Sequence, residues 1–537
     1  MIKQELREKI SGLIELPPSL QFTIEQPPKH SQSDLATNLP IILSRTTGKE
    51  IKKIADEVIS KLQSSQLVEK IDFAAPGFIN FNISLQRLAQ ELKTVTAEDN
   101  AYPGIDSGKN KKVLLDFVSA NPTGPLHIGH ARCAIIGDTL SRIFRQFGWE
   151  TLQEYYVNDI GTQMDILSES VELRSRQLNG EKIDFPENAY KGEYITEIAG
   201  DINSKYENLP QREEIKKITL EKILDIIKND LTDFGVNFDS WIYESELHNK
   251  GIVEKTIGLL KKQGVVYEKD GALWFGSAES GDEKDRVVKR KDGRYTYFGA
   301  DIAYHSDKIA RGFDKLINIW GTDHHGYVPR IMSAIKSLGY DENNVKIILY
   351  QLVSLSRNGV RLKMSTRAGE FITLREVMKE IGVDATRYFL STRTPESHLE
   401  FDLELAKKQS PENPVYYVQY AHTRCCGIFR EAKLEPSQKI FSGVNVSLLK
   451  EPAERCLMKK ILFYPDTLNS CINDYTPHHI TTYLLDLAGS LHKYYDGYRV
   501  LGNDEVLKIS RLYLINAVRI VIRNGLSLLG ISAPSRM

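Results

Sequence analysis

Residues 113–138 read VLLDFVSANPTGPLHIGHARCAIIGD. Val113, Leu114 and Leu115 make a short apolar run that stops at Asp116, the pattern of a buried strand. Asn121, Pro122, Gly124 and Pro125 then break the chain into a turn. Beyond His130 the apolar positions Ile136, Leu140, Ile143, Phe144 and Phe147 recur at helical spacing as far as Gly148. The order is strand, turn, helix, so His127-Ile128-Gly129-His130 falls where a helix begins. Backbone N–H groups and the positive dipole end favour anionic oxygens such as phosphate at that place. Two imidazoles add donors, and Gly129 leaves room for a flat ring against the backbone.

The alternating stretch 151–157 reads as a second strand ending in Asn158-Asp159, which makes a βαβ unit. A doubly wound parallel sheet takes its ligand beyond the carboxyl ends of its strands. Residues 165–285 are charged and largely helical, with Tyr190 to Tyr194 in a loop, and read as an insertion between sheet halves. In YTYFGADIAYHSDKIARGFDKLINIWGTDHHGYVPR, residues 295–330, Tyr297 and Asp301 are four apart and share a helix face. A carboxylate beside an aromatic ring suits a planar guanidinium; a solvent-facing polar pair is the alternative on spacing alone. The apolar run 316–320 leads into Gly321-Thr322-Asp323-His324-His325-Gly326, which lacks the further ligands a metal site needs. Residues 347–356 read as a strand, Asn358-Gly359 as a two-residue turn and 360–362 as the return. The cationic loop Lys363-Met364-Ser365-Thr366-Arg367-Ala368-Gly369 follows, and Thr373 with Glu376 forms a capping box for a helix through Ile381.

At 537 residues the chain exceeds one ordinary core, so two to four domains are expected. A net charge of −1 means that any nucleic acid is met by local basic patches. Five cysteines with no Cys-x-x-Cys pair argue against a disulfide framework and against zinc, and for a reducing compartment. The start MIKQELREKI is no signal peptide, and the apolar stretch 513–531 carries Arg519 and Arg523, so a soluble, cytoplasmic protein without membrane contact is expected.

The His-Ile-Gly-His motif with Lys-Met-Ser after it resembles the signature pair of class I aminoacyl-tRNA synthetases. The flanking Ser119-Ala120-Asn121-Pro122-Thr123-Gly124-Pro125-Leu126 is similar to the arginyl members of bacterial type. The resemblance implies an α/β chain: a Rossmann-type doubly wound catalytic domain with an insertion, an N-terminal α+β domain and a C-terminal all-helical anticodon-binding domain. The expected boundaries are 1–105, 106–382 (insertion 165–285, loop 363–369) and 383–537, with 102–112 as a linker. Ser33 to Asn38 and Ala75 to Phe81 are similar to the family's N-terminal domain, which touches the corner of the tRNA.

By the same resemblance, His127, His130 and Lys363 are catalytic and, with Mg²⁺, supply positive charge. ATP is held by His127, Gly129, His130, Asp323, Lys363, Met364 and Ser365. Arginine is held by Asp116, Ser119, Asn121, His130, Tyr297, Asp301 and His324. The tRNA is met by Tyr420, Arg424 and Met537, within a helical region whose tyrosines stand near Arg499, Arg511, Arg519 and Arg523. The implied activity is ATP-dependent formation of arginyl-adenylate from L-arginine and transfer to the 3′ end of tRNA-Arg, by a monomer using Mg²⁺ with ATP and no zinc. One departure stands out: the motif's second lysine is Thr366, and the position where some arginyl enzymes carry a substitute is Gly124, which leaves Lys363 and Arg367 as candidate carriers of that charge. A class I synthetase for another amino acid and a silent tRNA-binding paralogue are the competing readings.

Overall fold

A computed structural model describes all residues except 18–19, 29–30, 279–281, 363–371 and 438. The apolar run at 113–115 is the middle of a five-stranded sheet. In chain order its strands are β1 (Lys112–Asp116), β2 (Glu150–Val157), β3 (Ser240–Tyr243), β4 (Lys315–Gly321) and β5 (Val345–Tyr350). The spatial order is β5-β4-β1-β2-β3, and every pair is parallel. The chain winds outward from β1 to β3 and then returns to β4 on the other side of β1. A crevice therefore opens at the carboxyl ends of β1 and β4, where the winding reverses.

The helix after β1, α1 (Ile128–Gln146), is buried on nearly every face, including Arg132, Asp138 and Ser141. Such a helix has to satisfy its polar groups inside the protein. Arg132 donates to the Gln351 and Thr394 carbonyls, both at 2.8 Å, which ties α1 to the loops beyond β5. Asp138 accepts from Arg387, a fully buried guanidinium. Arg387 also donates to Leu529 O at 2.7 Å and Phe234 O at 2.8 Å. One side chain thus joins α1, the end of the helix Arg212–Asp233 and the chain's C-terminal segment.

Several expectations need correction. The stretch 165–285 is not one insertion, because β3 lies within it and belongs to the central sheet. Only four residues long and set among charged helices, β3 shows no usable periodicity. Its flanks are a helical part, whose helices are Thr162–Leu178, Glu193–Lys205 and Arg212–Asp233, and a three-stranded antiparallel sheet of Val266–Lys269, Ala272–Phe275 and Arg286–Lys289. Tyr194 is in a helix rather than a loop, and its hydroxyl donates to Thr123 O at 2.7 Å, bracing the proline-rich turn. The strand expected over 347–356 is two: β5 ends at Tyr350, Gln351 N turns to Pro395 O at 2.9 Å, and Val353–Arg357 pairs with Leu399–Asp402 in a separate sheet. Nor is 102–112 a free linker. Tyr102 is 1% exposed, and its hydroxyl reaches the Glu91 carboxylate at 2.5 Å.

Before β1, a four-stranded antiparallel sheet (Ile24–Glu25, Leu35–Thr37, Phe78–Ile83, Val68–Ala74) packs with helices including Ile51–Leu62. Helix α2 (Tyr297–Ala310) leads into β4. The last part is a helical bundle containing α3 (Pro414–Ala432), Pro452–Asp474, His478–Gly497 and α4 (Glu505–Leu528). Among the described residues, no helix is long and apolar enough to cross a membrane.

Candidate active site

The chain leaves β1 through two residues in the left-handed region, Val118 at φ +66° and Ser119 at φ +39°. For a β-branched residue this is an outlier, and such strain persists only where the surroundings hold it, at about 1–3 kcal/mol a residue. The holding bonds are Val118 N to Cys133 Sγ at 3.1 Å, Ser119 Oγ to Asp116 Oδ1 at 2.8 Å and Tyr156 N to Ser119 Oγ at 3.0 Å. The other oxygen of Asp116 accepts from Lys308 Nζ at 2.6 Å, so this carboxylate at the end of β1 is already neutralised by the protein.

His127 caps α1. Its Nδ1 accepts from Gly129 N at 3.1 Å and His130 N at 3.4 Å, while His127 N donates to His130 Nδ1 at 3.4 Å. With both Nδ1 atoms accepting, the neutral tautomer carries its proton on Nε2 in each ring. The rings stack 3.6 Å apart at 17°. Burial lowers both pKa values, that of His130 well below the ordinary imidazole range, and the neighbouring ring lowers it further. The pair is therefore neutral near pH 7, and the expected positive charge is replaced by N–H donation. A Cβ on Gly129 would lie 2.9 Å from His127 Cε1, so this glycine first makes room for the capping imidazole.

A cavity of about 530 Å³ beyond these rings is lined by Asp116, Ser119, Asn121, His127, His130, Asp301, Asp323 and His324, among others. Through the shared walls Asn121, Asp301 and His324 it continues into a second chamber of about 560 Å³, which adds Glu244, Tyr297, Arg286 and Arg330. Tyr297 opens α2 behind the cap Thr296 and is 51% exposed; Asp301, one turn on, lies where the chambers meet and accepts from the Tyr327 hydroxyl. Loss of water pushes the Asp301 carboxyl up to about 6, against the Tyr327 bond and the Lys308 charge, which lower it. Asp323 and His324 sit on the 3₁₀ turn after β4 and are mostly exposed. Lys363, Met364 and Ser365 lie outside the described residues.

Sequence reasoning passed over Glu244. It follows directly on β3, is 4% exposed, accepts from the Asn158 amide at 3.1 Å, and is raised to about 7 by burial. The rule that polar residues at strand ends mark the site would have found it had Trp241-Ile242-Tyr243 been read as a strand. The chamber's two arginines are tied off: Asp282 accepts from Arg286 at 2.7 Å and Arg330 at 3.1 Å. Among the described residues, no group of three His, Cys, Asp or Glu side chains is arranged to hold a metal ion.

In the bundle, the Arg424 guanidinium carbon is 5.1 Å from the Tyr420 ring centroid and 4.4 Å from that of Tyr495. The terminal segment runs along α3, with Thr423 Oγ1 donating to Pro534 O at 2.9 Å, and Met537 is exposed. Arg511 pairs with the buried Glu454 and Arg523 with the half-exposed Asp99, both at 2.8 Å.

Residues 1–83 match the family described as arginyl tRNA synthetase N terminal domain, 91–402 the catalytic domain of class I (R) tRNA synthetases, and 418–537 the DALR anticodon binding domain. A protein of Desulfosudis oleivorans named arginine–tRNA ligase is 44% identical over 96% of this chain and 94% of its own. The chain belongs to the arginyl-tRNA synthetase family. A Geobacter arginine–tRNA ligase is 45% identical over 96% of this chain and 95% of its own. The fold is that of the arginyl-tRNA synthetase of Thermus thermophilus, with a TM-score of 0.80 over 100% of both chains at 22% identity. Membership in the arginyl-tRNA synthetase family makes this chain an aminoacyl-tRNA ligase that takes ATP as a substrate.

Proposed function

We propose that this arginine–tRNA ligase holds the triphosphate of ATP at the start of α1 and the guanidinium of arginine at Asp301. The observation that carries the reading is that Asp301 and both imidazoles line one cavity. A buried carboxylate with an aromatic hydroxyl beside it is completed by a planar cation, and two parallel N–H bonds to it are stronger than neutral ones. Glu244 adds a second acidic wall in the side-chain chamber, with Tyr297 at its mouth. Asn121 and His324, at the junction of the chambers, face the α-amino and carboxylate end. Asp116 and Ser119 shape this end of the cavity, since both are already bonded to protein groups.

With both substrates seated, an arginine carboxylate oxygen attacks the α-phosphorus, and the bond to the pyrophosphate oxygen breaks, giving arginyl-adenylate. The terminal ribose hydroxyl of tRNA then attacks the activated carbonyl and AMP leaves. Such in-line transfer needs positioning and stabilisation of developing charge more than a protein nucleophile. The Nε2–H groups of His127 and His130 supply donors there, aided by the N-terminal amides of α1. Mg²⁺ arriving with ATP adds positive charge on the phosphate oxygens. Lys363, Met364 and Ser365 also take part in holding ATP, and Tyr420, Arg424 and Met537 meet the anticodon end of the tRNA. The domains divide at 105 and 382, and the protein works as a monomer in the cytoplasm.

Arginine-dependent ATP–pyrophosphate exchange and charging of tRNA-Arg test this reading. Exchange is expected with arginine, with or only with tRNA present, and not with citrulline or lysine. Exchange driven by another amino acid, or none under any condition, overturns it.

A further inference from the structure

Helix α2 brings a third imidazole to the site. Tyr297 and Asp301 line the side-chain chamber, whereas Asp301, Tyr304 and His305 line the cavity beyond the His127 and His130 rings. The one turn of helix from Asp301 to His305 therefore leads from the chamber assigned to the guanidinium toward the start of α1. His305 is 2% exposed, and its Nδ1 lies 2.8 Å from Asp301 O. A carbonyl only accepts, so Nδ1 carries the ring proton and Nε2 presents a bare lone pair. The two ring nitrogens point away from each other, so with Nδ1 turned to the backbone of its own helix, Nε2 is directed off it. The ring stands edge-on to Trp320, with centroids 6.5 Å apart at 87°, and Trp320 lines the same cavity from the end of β4. Nε2 has no hydrogen-bond partner among the described residues. Burial, with the Lys308 charge nearby, pushes the imidazole down to about 3 against the Asp301 carbonyl bond and the Glu154 charge, so it is a neutral acceptor near pH 7.

A buried acceptor with nothing to accept is destabilising, so a fold that keeps one calls for a donor. In a packed core that donor is ordinarily a bound water. Two observations favour a ligand at this position. His305 forms part of a cavity wall rather than the interior of the core. The carboxylate placed to receive an ammonium at the end of β1 is also already committed: Asp116 Oδ1 accepts from Ser119 Oγ at 2.8 Å and Oδ2 from Lys308 Nζ at 2.6 Å. That ion pair balances the Lys308 charge, which would otherwise repel a second cation beside His305. An arginine whose guanidinium meets Asp301 carries three further N–H donors on its α-ammonium, at the end of the molecule that must approach the imidazoles of α1.

We propose that His305 Nε2 accepts a hydrogen bond from the α-ammonium of arginine and thereby selects the amino acid over guanidino compounds that lack this group. This rests on the arginine–tRNA ligase reading above. The bond is charge-assisted, and a compound with no nitrogen at the α-carbon leaves the buried acceptor empty.

The test is calorimetric titration of the full chain, with tRNA-Arg present, using three ligands: L-arginine, agmatine, which lacks the carboxylate, and 5-guanidinopentanoate, which lacks the ammonium. Two variants remove Nε2 in different ways. His305→Asn keeps an amide that can donate to Asp301 O, and His305→Phe keeps the volume of the ring; should one fail to fold, the other carries the same titrations. Each is expected to bind arginine and agmatine about tenfold or more weakly than wild type, the loss of one charge-assisted bond. The affinity for 5-guanidinopentanoate and for ATP should stay at the wild-type value, which also shows that Asp301 and the fold are intact. An equal loss for all three guanidino ligands means that His305 acts only through Asp301 and overturns the proposal. Wild-type affinity for all three returns Nε2 to a bound water, and a loss confined to ATP moves it to the nucleotide; both overturn it as well. Wild-type chain that drives no pyrophosphate exchange with arginine refutes the ligase reading instead, so the two failures are told apart.

Discussion

Lys308 and Asp116 form an ion pair beneath the active site, with Nζ 2.6 Å from Oδ2 and side chains 0% and 7% exposed. Lys308 also donates to Asn318 Oδ1 at 2.8 Å, and Asn318 stands opposite Asp116 in the register of β1 against β4. The lysine is seven residues beyond Asp301 on α2. One ammonium thus pins the helix that carries Asp301 to the two strands that bound the crevice. Removing one partner of a buried pair leaves an uncompensated charge, which destabilises by about 3–5 kcal/mol. Lys308→Met is expected to lose that much stability in urea unfolding, and Lys308→Met with Asp116→Asn to recover most of it. Equal stability of wild type and Lys308→Met contradicts the pinning role.

Asp301 puts function and stability in opposition. Its folded carboxyl is raised to about 6, above the ordinary value, so folding favours its protonated form and keeping it ionised at pH 7 destabilises the protein. Asp301→Asn keeps an acceptor for the Tyr327 hydroxyl and removes the charge. It is expected to raise the unfolding free energy at pH 7, on the order of 2 kcal/mol, while arginine activation falls by at least about a hundredfold. Calorimetry and pyrophosphate exchange on the same sample check both. A variant that loses stability and keeps activity refutes the assignment.

How much of this was legible in the sequence follows from the physics of each element. The run 113–115, the helix behind His127 and the Thr373–Glu376 cap were readable because apolar spacing and capping act within a few residues. The spacing of Tyr297 and Asp301 gave a shared helix face but not a shared cavity with the imidazoles, since that depends on how α2 docks on the sheet. β3, Glu244 and Lys308 escaped because their meaning is long-range: a four-residue strand has no period, and Lys308 finds Asp116 across 192 positions. The neutrality of the imidazoles was likewise invisible, because burial decides it and residue type does not.

Two raised carboxyls set a pH dependence. Asp301 at about 6 faces Tyr327, Lys308 and Asp116, and Glu244 at about 7 faces Tyr156, Asp301 and Asp159. Both take up protons as pH falls from 8 to 5, and a guanidinium binds the ionised forms. KM for arginine is therefore expected to rise toward low pH, by up to about tenfold per unit below 6 for one linked proton. Glu244→Gln should remove the upper part of the profile and leave the lower part, in steady-state kinetics across that range. A flat profile in wild type removes both carboxylates from the arginine site.

Arg424 lies between the Tyr420 and Tyr495 rings, and its Nη1 is 2.9 Å from His492 Nδ1. On the proposed reading, this guanidinium holds the Tyr420 and Tyr495 rings in fixed orientation where unpaired bases of the tRNA would meet them. Arg424→Ala should raise KM for tRNA at least tenfold, with arginine KM unchanged. Filter binding of tRNA-Arg reads the effect directly, and equal affinity contradicts it.

Gly530 tests the joint between the anticodon-side bundle and the histidine helix. It sits at φ +66°, and a Cβ there would come 2.3 Å from Arg387 Nη2 and 2.4 Å from Cζ. The guanidinium is held by Leu529 O, Phe234 O and Asp138 and has no room to move aside. Gly530→Ala therefore meets both backbone strain and overlap, and to relieve it Arg387 must give up at least one acceptor while buried, at about 1–3 kcal/mol for the unsatisfied group, more for a charged one. Because Asp138 lies on α1, the loss is expected to reach the nucleotide site as well: a lower melting temperature together with a raised KM for ATP. Arg387→Met with Asp138→Leu, which removes the buried charges together, should tolerate Gly530→Ala far better. A Gly530→Ala protein with wild-type stability and ATP kinetics shows that the C-terminal segment and α1 are not mechanically joined through this guanidinium.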